Sequence, residues 1–470
     1  MGNPVQIEIM DTTLRDGEQT SGVSFVPHEK LMIARFLLEK VQVDRMEVAS
    51  AHVSGGELKA VQLITDWAKK KGYLEKVEVL GFVDDGNSVD WICNAGGKVL
   101  NLLCKGSMRH CKYQLRKTPE EHLKDIQKVV DYATKKGVLV NIYLEDWSNG
   151  MKDSPEYVLF LVDHLKETGI KRFMLPDTLG ILNPLQVRNY LNVMIKRYPE
   201  LHFDFHAHND YDLAISNILA AVLTKVKGIH TTINGLGERA GNAPLASVQA
   251  ILKDHFNIQT NIVESKLNEA SRLVESYSTI MIPANKPIVG ENVFTQVAGV
   301  HADGDCKKNL YCNELLPERF GRVREYALGK TSGKANIRKN LEQLGMQLDD
   351  ESMKRVTERI IALGDRKELV TQEDLPYIIS DVLKHDVVND TVKLNSYYVT
   401  LVRGLKPTAT LSIEIDGKVY EESSAGDGQY DAFVRALRRV YKDKLHRSFP
   451  MLTNYAVTIP PGGRTDAFVQ

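Results

Sequence analysis

Eight short strand-like runs, each followed by an amphipathic helical run, occupy the first half of the chain. They read QIEIMD (6–11), RMEVAS (45–50), KVEVLGFV (76–83), KVLNLLC (98–104), VLVNIYLED (138–146), KRFMLPD (171–177), HFDFHAH (202–208) and GIHTTIN (228–234). Eight such units in about 250 residues is the count and size of a (β/α)8 TIM barrel. An open doubly wound sheet usually has about five to seven strands and is the alternative. Ser154-Pro155 and Asn183-Pro184 each read as an N-cap followed by proline at the first helical position. In a parallel barrel the chemistry collects where the strands end. Here the ends carry Arg15 and Asp16, Ser50, Phe82, Lys105, Tyr143 and Glu145, Asp177 and Thr178, His206 and His208, and Asn234 with Glu238. Core packing does not explain apolar strands that, Phe82 apart, finish in polar groups, so the pattern points to an enzyme.

Past the barrel, ESKLNEASRLVESYS predicts a helix and 286–320 reads as a polar, turn-rich loop containing HADGDCKKNLY. Helical patterns follow over 325–385, and from about 393 the chain turns β-rich, with IDGK as a hairpin turn. The expected division is an α/β barrel domain over 1–285, a linker of loop plus helices over 286–388, and a C-terminal α/β domain over 389–470. The last of these ends mid-strand by pattern, as a shortened domain would. Net charge is −1, which gives no reason to expect nucleic acid or an anionic membrane. No stretch reaches the ~18 consecutive apolar residues of a membrane helix, and no secretory leader opens the chain. Five cysteines with no CxxC suggest reduced thiols in a cytoplasmic protein rather than a cysteine zinc site.

His206-Ala207-His208 places two imidazoles on one face of a strand, because residues i and i+2 share a face. An isolated pair of this kind is more often two hydrogen-bonded histidines. As the seventh strand of a barrel it neighbours the mouth of the first, and Asp16 then completes an open divalent-metal site. Gly235-Leu236-Gly237-Glu238-Arg239-Ala240 matches a dinucleotide fingerprint, but no βαβ unit follows it. Its glycines instead allow backbone and Asn242 to approach a bound metal or ligand. Arg15 stays charged at any relevant pH and suits an oxyanion. Glu145 has two readings, acid–base catalysis or a salt bridge at a strand end. His301 and Asp303 likewise form either an acid–base pair or plain loop polarity.

DTTLRDGEQT, HAHND and NGLGERAGN, in this order and on these strands, resemble the signature of the metal-dependent Claisen-condensing synthases, the isopropylmalate, homocitrate, citramalate and Re-type citrate synthases. The likeness continues through GVHADGD and LGKTSGKANI into SAGDGQYDAF and IPPGGRTDA. NIYLEDWSNG, FHAHNDYDLA and HADGDCKKNLYCNELLPERFG resemble the citramalate-forming branch most. That resemblance implies condensation of acetyl-CoA with pyruvate, thioester hydrolysis, and a place in isoleucine biosynthesis; an isopropylmalate synthase acting on 2-ketoisovalerate is the alternative. An inactive amino-acid-binding protein on the same scaffold is a distant third reading. The resemblance also implies that Asp16, His206, His208 and Asn242 hold a divalent ion, Zn²⁺ or Mn²⁺, with Mg²⁺ or Co²⁺ as further options. Arg15 then meets the developing alkoxide, Thr178 the substrate carboxylate, and Glu145 with His301 and Asp303 supplies acid–base work. Leu80, Leu103 and Tyr143 match the positions that wall the keto-acid side chain, though barrel packing alone also accounts for them. The resemblance makes the chain a homodimer whose linker caps the partner's barrel, with Asn309, Leu310 and Tyr311 at the acetyl-CoA lid. It places a feedback amino acid, isoleucine, at Tyr430, Asp431, Leu452, Tyr455, Ile459 and Thr465.

Overall fold

The computed structural model describes residues 7–306, 310–366, 370–383, 392–449, 457–458 and 468–469. Eight parallel strands close into a barrel in sequence order, the last pairing with the first. They are β1 Glu8–Asp11, β2 Arg45–Ser50, β3 Val77–Phe82, β4 Val99–Lys105, β5 Leu139–Glu145, β6 Phe173–Asp177, β7 Phe203–Ala207 and β8 Gly228–Thr231. Helix starts carry recognisable caps. The Thr118 hydroxyl accepts the Glu121 N–H and the Glu121 carboxylate accepts the Thr118 N–H, so the two close a capping box on helix Pro119–Lys135. Asn183 and Gln186 do the same for helix Pro184–Arg197. Pro155 opens its helix as expected, but the Ser154 oxygen does not cap it and accepts the Met108 N–H at 3.2 Å instead.

Alternation along each strand sorts the side chains into two sets. Ile9, Met46, Val48, Val79, Leu100, Leu102, Val140, Ile142, Phe173, Leu175, Phe205 and Ile229 face outward and pack under the helices in one apolar core. The inward set is largely polar at its base. There Arg45 reaches Glu78 at 3.0 Å, Asp204 at 2.5 Å and Glu8 at 3.0 Å, all but Glu8 nearly sealed from solvent. Gly228 makes room for this layer, since a Cβ there would stand 1.9 Å from Asp204 Oδ1. Above it sits a small apolar cluster of Met10, Leu80, Tyr143 and Met174, with Leu103 packed against it.

The segment 286–320, expected as a loop, contains a helix, Gly299–Cys306. Packing outweighs its two glycines. Gly299 lies against the backbone of Gly333, where a Cβ would meet atoms at 2.7–2.8 Å, and Ala302 is fully buried. Residues 1–346 and 347–470 form two compact units. The second contains helices Asp350–Asp365 and Leu375–Leu383 and an antiparallel sheet of Val392–Thr400, Thr408–Ile415 and Lys418–Ala425. Helix Gln429–Arg439 packs on that sheet through Ala436. No described helix is long and apolar enough to cross a membrane.

Asp11, at the end of β1, is buried; Oδ1 accepts the Thr13 N–H at 2.9 Å and Oδ2 has no partner. Burial pushes its pKa up to about 7, against an ordinary value of 3.8. The native state therefore keeps a proton that the unfolded chain releases, and stability falls as pH rises from about 4 to about 7. The limit of that loss is about 4 kcal/mol. Asp11→Asn should gain on the wild type by about 2–3 kcal/mol as pH rises from 5 to 8 in denaturant titrations. A pH-independent difference would exclude Asp11 as the group responsible.

Candidate metal and condensation site

The first turn after β1 carries Arg15 and Asp16 into the barrel mouth, where β7 presents His206 and, just past its end, His208. Asp16 Oδ2 lies 3.1 Å from His206 Nε2 and 3.8 Å from His208 Nε2. One ligand atom from each of the three residues falls within 4.8 Å of the others, and all three side chains are buried. Burial alone would push Asp16 up. The Arg15 guanidinium 3.6 Å away, with help from His206 and His208, overrides it and holds the carboxyl well below the usual carboxylate range. Burial lowers both imidazoles, His208 to about 4 with His206 adding to the effect. An ionised carboxylate and two neutral imidazoles are the protonation states a divalent ion requires.

At this site four buried atoms have no hydrogen-bond partner among the described residues: Asp16 Oδ1, His206 Nδ1, His208 Nδ1 and Asn242 Oδ1. A buried polar atom left unpaired costs about 1–3 kcal/mol, so such a concentration fits a ligand rather than a finished core. Asn242 arrives beside His208 through an isolated antiparallel bridge, and its amide donates to the Leu236 carbonyl at 3.1 Å. The loop before it needs its glycines. A Cβ at Gly237 would stand 2.2 Å from Asn242 Nδ2, and one at Gly241, where φ is +81°, 2.0 Å from the Gly235 carbonyl oxygen. The donor set of carboxylate, imidazoles and amide suits Zn²⁺, Mn²⁺, Co²⁺ or Mg²⁺.

Arg15 is fixed from three sides. Nε is bonded to Glu47 of β2, Nη1 faces Asp16, and Nη2 lies 3.5 Å from the Tyr143 hydroxyl. Burial opposes its charge, but Glu47 and Asp16 raise its pKa further still. Glu47 also accepts from Asn101 at 2.7 Å, and Asn101 accepts from Asn141 at 2.9 Å, so a polar ladder across β2, β4 and β5 supports Arg15 from below. The Tyr143 hydroxyl is 3.1 Å from His230 Nδ1, whose Nε2 is 3.1 Å from Asp204. A cleft of about 290 Å³ opens beside Arg15, with Gln19, Ser50 and Ser54 in its wall.

Leu80, Leu103 and Tyr143 come together inside the barrel, and Met10 and Met174 complete the apolar wall. Thr178 is half-buried; its oxygen accepts the Asp146 N–H at 2.9 Å, which leaves the hydroxyl proton free to donate. Glu145 is ion-paired with Lys105. His301 and Tyr311 form a pair of their own in the linker, ring centroids 4.3 Å apart, and Asp303 and Leu310 are exposed. Tyr430 and Asp431 open helix Gln429–Arg439, the Asp431 carboxylate taken up by Arg435 and the Asp427 N–H. Asn309, Leu452, Tyr455, Ile459 and Thr465 lie outside the described residues. Glu47, His230, Met10 and Met174 were not singled out from sequence. For Glu47 the signal was present: a carboxylate in phase with Arg45 in a strand that is otherwise apolar.

Residues 6–274 match the HMGL-like family, 288–368 a homocitrate synthase post-HMGL domain-like family, and 369–470 the LeuA allosteric (dimerisation) domain. An (R)-citramalate synthase of Methanocaldococcus jannaschii is 34% identical over 99% of this chain and 92% of its own length. A 2-isopropylmalate synthase of the same organism is 32% identical over 99% of this chain and 88% of its own. Among solved structures, an HMG-CoA lyase of Bacillus subtilis superposes with a TM-score of 0.52 at 22% identity, over 60% of this chain and 97% of that one, which speaks for the fold alone.

Proposed function

The chain belongs to the HMGL-like family, and on that footing we propose that it condenses acetyl-CoA with pyruvate and hydrolyses the thioester to release (R)-citramalate and CoA. That it is an enzyme of a metal-dependent condensing group follows from its relatives; the choice of keto acid does not, because two relatives with different names lie at 34% and 32% identity. The observation that carries pyruvate is the wall. Leu80, Leu103, Tyr143, Met10 and Met174 pack together inside the barrel, and bulky side chains on that wall favour a methyl group over an isopropyl group.

Asp16, His206, His208 and Asn242 would hold the divalent ion. When bound, that ion supplies Lewis acidity to the keto acid's carbonyl and carboxylate. Thr178 donates its free hydroxyl proton to the substrate carboxylate. Glu145 accepts a proton from the acetyl methyl group, and the freed electron pair forms the new C–C bond to the keto carbon. The carbonyl π pair moves onto its oxygen, where the Arg15 guanidinium stabilises the charge until a proton arrives. Water then adds to the thioester, the C–S bond breaks, and CoA leaves as the thiol. His301 and Asp303 serve this hydrolysis from a partner's linker, with Leu310 and Tyr311 over the acyl donor. The homodimer is supported by the match to a dimerisation domain, as is feedback by an amino acid, for which isoleucine suits the product.

The test is CoA release from acetyl-CoA with pyruvate, 2-ketoisovalerate, oxaloacetate or 2-ketoglutarate, each with and without chelator. Pyruvate should be preferred by at least ~10-fold in kcat/KM, as one to two buried methyl groups discriminate by about 1–3 kcal/mol each. Chelator should abolish turnover and added metal restore it. Preference for 2-ketoisovalerate would replace the substrate and keep the chemistry. Absence of turnover with metal-loaded protein would favour an amino-acid-binding protein without catalysis.

A further inference from the structure

The inward rows of β4 and β5 rise side by side, and their register pairs Asn101 with Asn141, Leu103 with Tyr143 and Lys105 with Glu145. Residues two apart share a face of a strand. The lower pair is inside the barrel, because Asn101 bonds Glu47 and Asn141 bonds Asn101 there. The middle pair belongs to the apolar wall. Lys105 and Glu145 therefore form the next layer up, on the same face, at the mouth directly over the keto-acid wall.

In that layer the Lys105 ammonium is paired with Glu145 Oε2. The exposures are unequal, 12% for the Lys105 side chain and 25% for Glu145, so the glutamate is the more accessible of the two to solvent and substrate. Lys105 is the one side-chain hydrogen-bond or ion-pair partner of Glu145 among the described residues. The backbone beneath is held as well. The Gly106 N–H donates to the Glu145 carbonyl at 2.6 Å, and the Tyr157 hydroxyl, 2.7 Å from His122 Nδ1, donates to the Lys105 carbonyl at 3.2 Å. Both backbones are thus held, and among the described residues the Glu145 side chain has Lys105 as its one hydrogen-bond or ion-pair partner.

We infer that Lys105 is the positioning residue for Glu145, holding its carboxylate over the bound acetyl group. This rests on Glu145 being the proton acceptor proposed above. A glutamate with several rotatable bonds at the edge of a wet cleft samples many orientations, and a displacement of about 1 Å at a reacting group costs about 10² in rate. A single ion pair at the edge of a cleft contributes little to global stability. Loss of Lys105 therefore appears in the rate and not in the fold. A salt bridge that merely tidied the strand ends would leave the rate alone.

The experiment compares the full-length metal-loaded wild type with Lys105→Met, Lys105→Arg, Glu145→Gln and the Lys105→Met/Glu145→Gln double variant, each for kcat, for KM of both substrates, and for Tm. Lys105→Met should lower kcat by about 10–100-fold with KM for the keto acid within about twofold, and Lys105→Arg should recover most of the loss. In the Glu145→Gln background the lysine substitution should add nothing, since Lys105 acts through that carboxylate. Wild-type kcat in Lys105→Met, or independent multiplication of the two losses, would overturn the inference while leaving the condensation reading in place. A wild type that releases no CoA with any keto acid would overturn both.

Discussion

Arg15→Gln should lower kcat for CoA release by about 10²–10³-fold, the usual cost of removing a placed donor from a developing oxyanion. Its side chain is largely buried and is engaged at each nitrogen, by Glu47 at Nε, Asp16 and Gln19 at Nη1 and the Tyr143 hydroxyl at Nη2. Only a planar fork meets three directions at once, so Arg15→Lys should recover little. The substitution also removes the chief cation beside Glu47. Burial already raises that carboxyl, with Arg15 the leading counterweight, so the variant pushes Glu47 further in the same direction. Metal content measured on the purified variant should stay at the wild-type stoichiometry, which separates loss of charge stabilisation from loss of the ion. A kcat within tenfold of wild type would remove Arg15 from the chemistry.

Arg45→Met should cost about 3–5 kcal/mol of stability, the penalty for stranding buried charges. In a chain of this size that lowers Tm by roughly 3–7 °C. Arg45 is the cation shared by Glu78, Asp204 and Glu8 at the base of the barrel interior. Burial alone would raise Asp204, but Arg45 first, then His202 and His230, hold it well below its ordinary 3.8. Its folded pKa is depressed, so its contribution is fully present above the unfolded value and is lost as pH falls below about 4. The variant should therefore lose most stability at neutral pH and approach the wild type under acid. Because His230 links Asp204 to the Tyr143 hydroxyl, the same variant should also loosen the keto-acid wall and narrow the preference among keto acids. A Tm within about 2 °C of wild type would show that the three carboxylates find other partners.

The Lys105–Glu145 layer shows how far alternation carries. NLLCK and IYLE place both residues in phase with the wall beneath them, and both are polar strand ends. Sequence left Glu145 between catalysis and a salt bridge, and the geometry makes these compatible, because the partner is itself a strand-end residue at the mouth. The linker was less legible. Gly299–Cys306 has two glycines and no apolar period, and it is helical because Gly299 and Gly333 can touch backbone to backbone.

Period-two strands and period-3.6 helices determined the barrel, its eight strands and the row of polar ends, since both periods depend only on which residues must leave water. Arg15 and Asp16 were likewise visible, because an ionisable pair just past the end of a strand is a local fact. Which of them meet was decided by closure of the sheet. Closure brings Asp16 from β1 within 3.1 Å of His206 from β7, 190 residues away, joins Arg15 to Glu47, and joins Arg45 to Asp204. Those distances follow from the stagger of the closed barrel, a property of all eight strands together that no single stretch of sequence contains.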